Sequence, residues 1–437
     1  MDDQLECYVS KSLAAMLQVS RLAGLAPLEF EKKGDKWRIR VSRSWSYYGY
    51  VIITAIIITV FAALLMDLQL DPRESVRMPS STRRVVWITD VGCMLLLSAT
   101  SVYSAPGLMR AMIATVNHIE KINFDLNIRQ YPMAFNKKQI WFFFVWTAVT
   151  IILTTVDHVV LLLMEDTKKT PTQSTISDMY MIYYCCYWIL QLRQLNFVIT
   201  TLQVMYCLRR INDCLKNLLR ELADRDEHSF ISLFNTKLSK ATKKKQLKFK
   251  VDISVTTDFK KFQPEGTHKT AYYQDAIRRL GLAFGNTCDV VRHVDNAHGL
   301  VVLMMLGSFL LHLVCTPYYL ITGMFEFSSE ENWTAHLVYN AVQFVWCFYH
   351  TVNLLMVIEP CHLTQIEIET TCELVSHLMR CTDSVHDPLA MELEIFFRHL
   401  FLNQASYSAM HVTSISRSLV ATILGSVTTY LVIIIQL

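Results

Sequence analysis

Five apolar stretches of this 437-residue chain carry side chains that a lipid-facing helix would not choose. They hold Asp90; Asp157; Tyr183, Tyr184, Tyr187 and Trp188; Thr316, Tyr318 and Tyr319; and Gln343 with Trp346 a turn later and His350 below them. Carboxylates and amides accept or share paired hydrogen bonds from neighbouring hydroxyls, and an aromatic face covers the C–H side of a ring. Sugars suit this chemistry. The alternative is an interfacial aromatic belt with ordinary interhelical hydrogen bonds. Tyr183, Tyr187 and Tyr319 fit the belt better, Asp157, Gln343 and Trp346 fit a pocket better, and Asp90 fits both equally.

Catalysis finds no support. His312, His350 and His362 are spread in depth, without HExxH spacing, a Gly-rich phosphate loop or GxSxG. The 12 cysteines include no CxxC pair and none in a segment placed outside the cell, so neither a disulfide framework nor a zinc site is expected. No cofactor is called for, and a net charge of +3 does not point to nucleic acid.

The elements that position these residues are membrane spans. The chain is 52% hydrophobic and 18% charged, too apolar for a soluble multidomain protein. Seven spans are read at about 45–67, 85–106, 139–164, 178–206, 298–324, 337–358 and 414–436, each long enough for a ~30 Å hydrocarbon core. The second is interrupted by Asp90. With the N-terminus in the cytosol, the inner connections hold 33 Lys and Arg and the outer ones six. That asymmetry places the C-terminus outside. The acidic start, followed by no apolar run before Trp45, argues against a cleaved signal peptide. The expected location is the plasma membrane, multi-pass.

The fold expected is all-α: a seven-transmembrane subunit of inverted topology with a cytosolic helical bundle. Residues 1–44 form the cytosolic N-terminal segment, 45–206 spans one to four, and 207–297 a Lys-rich loop with a helical extension. Residues 298–358 form spans five and six, 359–413 cytosolic anchor helices, and 414–437 span seven. Residues 271–297 have helical periodicity and run into span five, 361–382 continue span six after Glu359-Pro360, and Asp387-Pro388 opens a helix over 386–402. Ten lysines between Lys237 and Lys269 read as a disordered, solvated loop, or as a segment drawn to the anionic inner leaflet. This organisation argues against a G-protein-coupled receptor, which has the opposite orientation, its long inner loop between spans five and six, and Asp-Arg-Tyr and Asn-Pro-x-x-Tyr motifs missing here. A secondary transporter would show internal repeats and broken helices, and neither is found. Asn332-Trp333-Thr334 is an N-glycosylation sequon in a short outer loop. Arg193 sits near the middle of span four, where a charge costs on the order of 3 kcal/mol or more unless paired or hydrated. The sequence reveals no partner for it.

The last span is studded with Ser416, Ser418, Thr422, Ser426, Thr428 and Thr429, hydroxyls suited to neighbouring helices or water. It ends Thr429-Tyr430, five apolar residues, Gln436, Leu437. This resembles the tail signature of insect gustatory receptors, which closes with Phe where this chain has Leu437. Further stretches resemble the fructose-sensing branch of that family. They are Ser42-Arg43-Ser44-Trp45, Val76-Arg77-Met78, Thr89-Asp90-Val91, Leu310 to Val314 with Thr316 and Tyr318, Leu354 to His362, and His386-Asp387-Pro388. The likeness covers all spans and the N-terminal segment but not the Lys-rich loop. It implies a ligand-gated channel of four identical subunits in the bilayer, passing cations, with D-fructose as ligand and the seventh span lining the pore. It also implies ligand contacts at Asp90, Asp157, Thr316, Tyr318, Gln343 and Trp346, to which the residue reading adds Tyr184, Trp188 and His350. Thr429, Tyr430, Gln436 and Leu437 take the pore and gate positions; Leu keeps an apolar constriction but is smaller than Phe and not planar. A receptor subunit tuned to another ligand, or needing a co-receptor, shares these features and stays open.

Overall fold

The computed structural model describes residues 5–34, 36–70, 75, 77–78, 80–126, 137–165, 171–223, 268–325, 333–381 and 388–436. The sequence expectations for Asn332, Asp387, Leu437 and most of the Lys-rich loop fall outside these residues. Three helices far exceed what a membrane crossing needs. They are α6 (Pro171–Ala223), α7 (His268–Phe325) and α8 (Trp333–Arg380). At 1.5 Å per residue the 58 residues of α7 run roughly 87 Å, so each of the three spans the bilayer and continues beyond it. Pro317 and Pro360 lie inside α7 and α8 without ending them.

Seven helices make the membrane layer: α2 (Arg43–Gln69), α3 (Ser81–Tyr103), α5 (Lys137–Glu165), α6, α7, α8 and α10 (Arg417–Gln436). Six of them are long and apolar enough to cross a membrane by length and composition alone; α6 is the exception. Its polar residues have a place because it is the central helix, packed against α2, α3, α5, α7 and α8. Residues 191–201 are buried without a break. Protein neighbours rather than lipid meet Gln191, Gln194 and Asn196: Gln194 Nε2 donates to the Asn353 carbonyl at 2.8 Å and Gln191 Oε1 accepts from the Tyr349 hydroxyl at 2.7 Å, while Gln191 Nε2 is buried without a partner among the described residues.

Arg193 is fully buried on the same helix and donates from Nη2 to the carbonyl of Ser101 at 2.6 Å. Ser101 lies in the last turn of α3, whose final carbonyls lack in-helix donors and form the negative end of the helix dipole. The partner that the sequence left hidden is thus a helix terminus, not a carboxylate.

Below the membrane the expected bundle is present. The inner ends of α6, α7 and α8 pack with α9 (Pro388–Leu402) around Ile211, Leu215, Ile277, Phe284, Leu378 and Phe396. Pro388 opens α9 at its first position, where a missing N–H costs nothing. A further helix, α4 (Ala105–Asp125), packs on α7 although the sequence reading treated residues 107–138 as a connection. Its signal was present: Leu108, Met109, Met112, Val116, Ile119 and Ile122 fall on one face and are buried.

The N-terminal segment adds a small sheet to the helical architecture. Strands β1 (Glu6–Ser10), β2 (Leu28–Lys33) and β3 (Lys36–Val41) pair antiparallel in the order β1-β3-β2, with α1 (Lys11–Leu22) packed beside them. Trp37, Ile39 and Val41 alternate along β3, and Gly34, at φ 64°, sits in the β2–β3 turn. The segment docks on α2 through a backbone contact. Gly24 has φ 74°, and a Cβ on Gly49 would lie 3.0 Å from the Gly24 carbonyl oxygen and 3.2 Å from its Cα. Gly49→Val should therefore destabilise the subunit by about 1–3 kcal/mol through overpacking. The expected result is reduced surface protein in a biotinylation assay, and wild-type levels would remove this contact as a folding determinant.

Between α9 and α10 a two-stranded hairpin, β4 (Ser408–Ala409) with β5 (Thr413–Ser414), turns through Met410 and His411, both at positive φ. Asp295 of α7 holds it, accepting from the Ser408 amide at 2.6 Å and the Ser408 hydroxyl at 2.8 Å. At the start of α10, Arg417 forms a two-pronged ion pair with Glu359, next to Pro360 of α8. The inner end of the last helix is thereby tied to both long helices.

Candidate functional site

Toward the outer side of the membrane layer, five helices surround a cavity of about 110 Å³. Two of them present whole faces to it. On α7 these are His312, Thr316, Tyr319 and Gly323, and on α8 Tyr339, Gln343, Trp346 and His350. Both sets follow i, i+4, i+7, i+11 spacing, the stripe that α-helical periodicity brings to one side. Asp90 and Trp87 enter from α3, Asp157 and Leu161 from α5, and Tyr183, Tyr184 and Tyr187 from α6. Arg77 and Arg83, outside the spans as read from the sequence, also line it. Arg77 is held by the Ser177 hydroxyl at 3.1 Å and lies over the Tyr180 ring.

The two carboxylates are treated differently. Asp90 receives the Tyr183 hydroxyl on Oδ2 at 3.0 Å, while Oδ1 lies 3.1 Å from His312 Nε2 and is buried without a hydrogen-bond partner among the described residues. Asp157 receives the Tyr184 hydroxyl at 2.6 Å on Oδ2, with Trp346 beside the same group. Gln343 is buried, yet its amide has no protein partner among the described residues. Buried amides are rarely left so, and here the amide borders the cavity. Thr316 donates to the His312 carbonyl at 2.7 Å, which leaves its oxygen lone pairs for a further donor.

Aromatic surface forms much of the remaining wall. Trp346 lies 5.0 Å from Tyr187 and stacks on His350 at 5.4 Å, and His350 lies 4.5 Å from His312. Behind Trp346, Tyr349 packs edge-on at 5.3 Å and stacks on Trp146. The wall therefore rests on a second layer of rings.

Of the residues picked from the sequence, the structure brings Asp90, Asp157, Tyr184, Thr316, Gln343, Trp346 and His350 to this cavity. Trp188 and Tyr318 are not among its lining. The indole of Trp188 donates to Thr154 of α5 at 3.1 Å and the ring is partly exposed. Tyr318, one residue from Tyr319 and so about 100° around the helix, belongs to a small buried cluster with Val86 and Cys315, against which Leu431 and Ile434 of α10 pack. Tyr183, Tyr187 and Tyr319, which fitted a belt by depth, line the cavity instead. Depth along a helix was legible, but which side a ring faces was not. His312 was weighed only as a catalytic or metal-binding group, and its partner Asp90 lies 222 positions away in sequence, too far for a spacing signal. No group of three His, Cys, Asp or Glu side chains among the described residues is placed to hold a metal ion.

Thr429, Tyr430 and Gln436 lie on α10, exposed to its surroundings. The hydroxyls of this helix bond back to its own carbonyls, as with Thr422 to Ser418, Ser426 to Thr422 and Thr429 to Gly425. Ile423 and Val427 are its buried residues, and most of its apolar surface is uncovered by this subunit.

Comparison with known proteins adds three findings. The family described as 7tm chemosensory receptor matches residues 13–437. A Drosophila melanogaster protein, gustatory receptor for sugar taste 43a, is 25% identical over 454 aligned residues covering 98% of each chain. The solved structure of the insect olfactory receptor OR5 from Machilis hrabei in complex with eugenol superposes with a TM-score of 0.60 at 10% identity, covering 98% of each chain. A second solved structure of the same receptor gives a TM-score of 0.58.

Proposed function

Because this chain belongs to the 7tm chemosensory receptor family, we propose that it is a gustatory receptor working as a sugar-gated, non-selective cation channel, with D-fructose as the ligand. The observation that carries the reading is the cavity's chemistry. The Asp157 carboxylate and the unpartnered Gln343 amide can take paired hydroxyls, while Trp346 and Tyr187 offer ring faces to the C–H side of a sugar. The cavity measures about 110 Å³, several times the ~10–15 Å³ needed to seat one water, which suits a monosaccharide. The relative named for sugar taste, similar along its whole length, supports the same ligand class.

In this reading Asp157, Gln343, Trp346 and Thr316 touch the sugar. Tyr184 orients Asp157, and His350 backs Trp346. Gating is a population shift: sugar binds the open arrangement better, drawing the outer ends of α7 and α8 together, and a ligand binding both states equally would open nothing. The cluster of Val86, Cys315 and Tyr318 provides the contact from the sugar-bearing stretch of α7 to Leu431 and Ile434 of α10. The uncovered surface of α10 supports its meeting copies of itself in a four-subunit assembly around a central pore. There Gln436 would form a ring at the outer end.

The test is voltage clamp of a cell expressing this chain alone, with D-fructose applied beside glucose, sucrose and bitter compounds. An inward cation current to D-fructose is expected. No current from protein shown to be at the surface would point to another ligand or a required co-receptor, and saturable uptake of labelled sugar without current would point to a transporter. In the same cells Gln436→Ala is expected to alter basal leak or ion selectivity at least twofold, since it removes an amide from every subunit of the ring. Unchanged currents would argue against the tail as gate.

A further inference from the structure

We infer that a groove between α5 and α8 binds one acyl chain of an outer-leaflet phospholipid, directly behind the Trp346 wall of the cavity. The groove measures about 400 Å³. Its floor is Leu153 of α5 and Val342 of α8, buried to 7% and 6% exposure. Val149, Ile152 and Val156 form one rim and Val338 and Val345 the other, all exposed. Only apolar atoms line it.

Toward the cytosol the same two helices are joined by polar contacts. The Thr150 and Tyr349 hydroxyls lie 3.0 Å apart, and Trp146 Nε1 donates to Asn353 Oδ1 at 3.0 Å. The groove opens outward from this level. Its own side chains do not fill it, because six of the eight lining residues are Val or Ile. β-Branched side chains are short and stiff at χ1, so the space is preformed.

The groove lies in the middle and outer part of α5, at the depth of the hydrocarbon. Water or a polar ligand would find no hydrogen-bond partner there. An empty groove forfeits the contacts its floor would make, and in a bilayer that loss of packing is the force that fills it. A neighbouring helix reaches such a floor only with side chains one turn apart, whereas an acyl chain lies along it. The contacts of α5 favour lipid as well: α5 packs on α6 and α8, whereas α10 packs on α7 and α8. With α10 at the centre of the assembly, as in the reading above, α5 faces the bilayer.

Leu153 and Val342 belong to one buried cluster with Trp346 and Tyr349, and Trp346 lines the cavity. A chain in the groove thus supports this wall from the side opposite the cavity. Its effect on sugar rests on the sugar reading; its binding does not.

The experiment reconstitutes purified full-length protein from detergent into phosphatidylcholine bilayers, without sugar. A trace of the lipid carries a diazirine midway along one acyl chain, and labelled peptides are read by mass spectrometry after irradiation. Ile58, Phe61 and Leu65 of α2, exposed at similar depth, serve as the reference. Residues 149–156 and 338–345 are expected to take about fivefold or more label than these, since a groove multiplies small carbon–carbon attractions. Ala341→Phe puts a ring into the groove and is expected to cut its label about threefold or more, leaving α2 unchanged.

Equal labelling of groove and α2 in the wild type would overturn the site, a comparison that needs no variant to fold. Loss of the groove label to added sterol would also overturn it, as would a disulfide between subunits carrying Ala341→Cys. In currents, Ala341→Phe is expected to shift the half-maximal sugar concentration about twofold or more, and no shift would overturn the support of Trp346. Because labelling is read without sugar, a channel silent to every sugar would count against the proposed function and leave the lipid site standing.

Discussion

Asp157→Ala is expected to abolish the D-fructose-evoked current while leaving surface protein unchanged. Charge-assisted hydrogen bonds contribute about 1.5–3 kcal/mol each. A carboxylate taking two sugar hydroxyls would then account for a hundredfold or more in affinity, since about 1.4 kcal/mol is a factor of ten. The substitution also leaves the Tyr184 hydroxyl without its acceptor, so a control is needed. Tyr184→Phe removes that hydrogen bond and keeps the carboxylate. If Asp157 touches the sugar, Tyr184→Phe should shift the dose-response by no more than about tenfold, and Asp157→Ala should eliminate it. A normal dose-response in Asp157→Ala would remove the proposed pocket, and equal losses in both variants would reassign Asp157 to holding α5 against α6.

Arg193→Ala is expected to have the largest effect on stability, about 3–5 kcal/mol, read as a lower thermal midpoint in detergent and loss of surface protein. The guanidinium caps the last turn of α3 through the Ser101 carbonyl, and its truncation leaves a cavity beneath that cap. Two of its other nitrogens, Nε and Nη1, are buried without an acceptor among the described residues, so the group carries its own desolvation cost. Arg193→Met separates the two contributions because it keeps most of the volume and drops the charge. If the cap matters, Met should be destabilising and Lys should recover part of the loss. A Met variant as stable as wild type would show that Arg193 fills space and caps nothing.

The long helices were legible because apolar residues recur with helical period and lipid demands long uninterrupted runs. α4 and the N-terminal sheet were passed over although both carry periodicity: a one-faced pattern over Leu108 to Ile122, and alternation over Trp37, Ile39 and Val41. Their strength was low beside that of the spans, and position near a membrane favoured reading them as connections. The site divides in the same way. Asp157, Gln343 and Trp346 stood out because polar groups inside spans are costly, whatever their partners. Tyr187 and Tyr319 did not, because a tyrosine near the outer end of a span suits an aromatic belt equally well.

The amino-acid sequence by itself determined that this is a multi-pass helical membrane protein, which way it lies in the bilayer, and that polar residues gather at one level of five spans. These are one-dimensional properties: run length, charge asymmetry, and distance along a helix at 1.5 Å per residue. Only the tertiary structure decided which of those residues meet. Rotation about each helix axis sends Tyr319 to the cavity lining and Tyr318 into the cluster that α10 packs against, although the two are neighbours in sequence. It also joins Asp90 to His312 and Arg193 to the end of α3, contacts that depend on how separate helices pack. Packing angles come from side chains meeting across interfaces, and no local stretch of sequence carries that information.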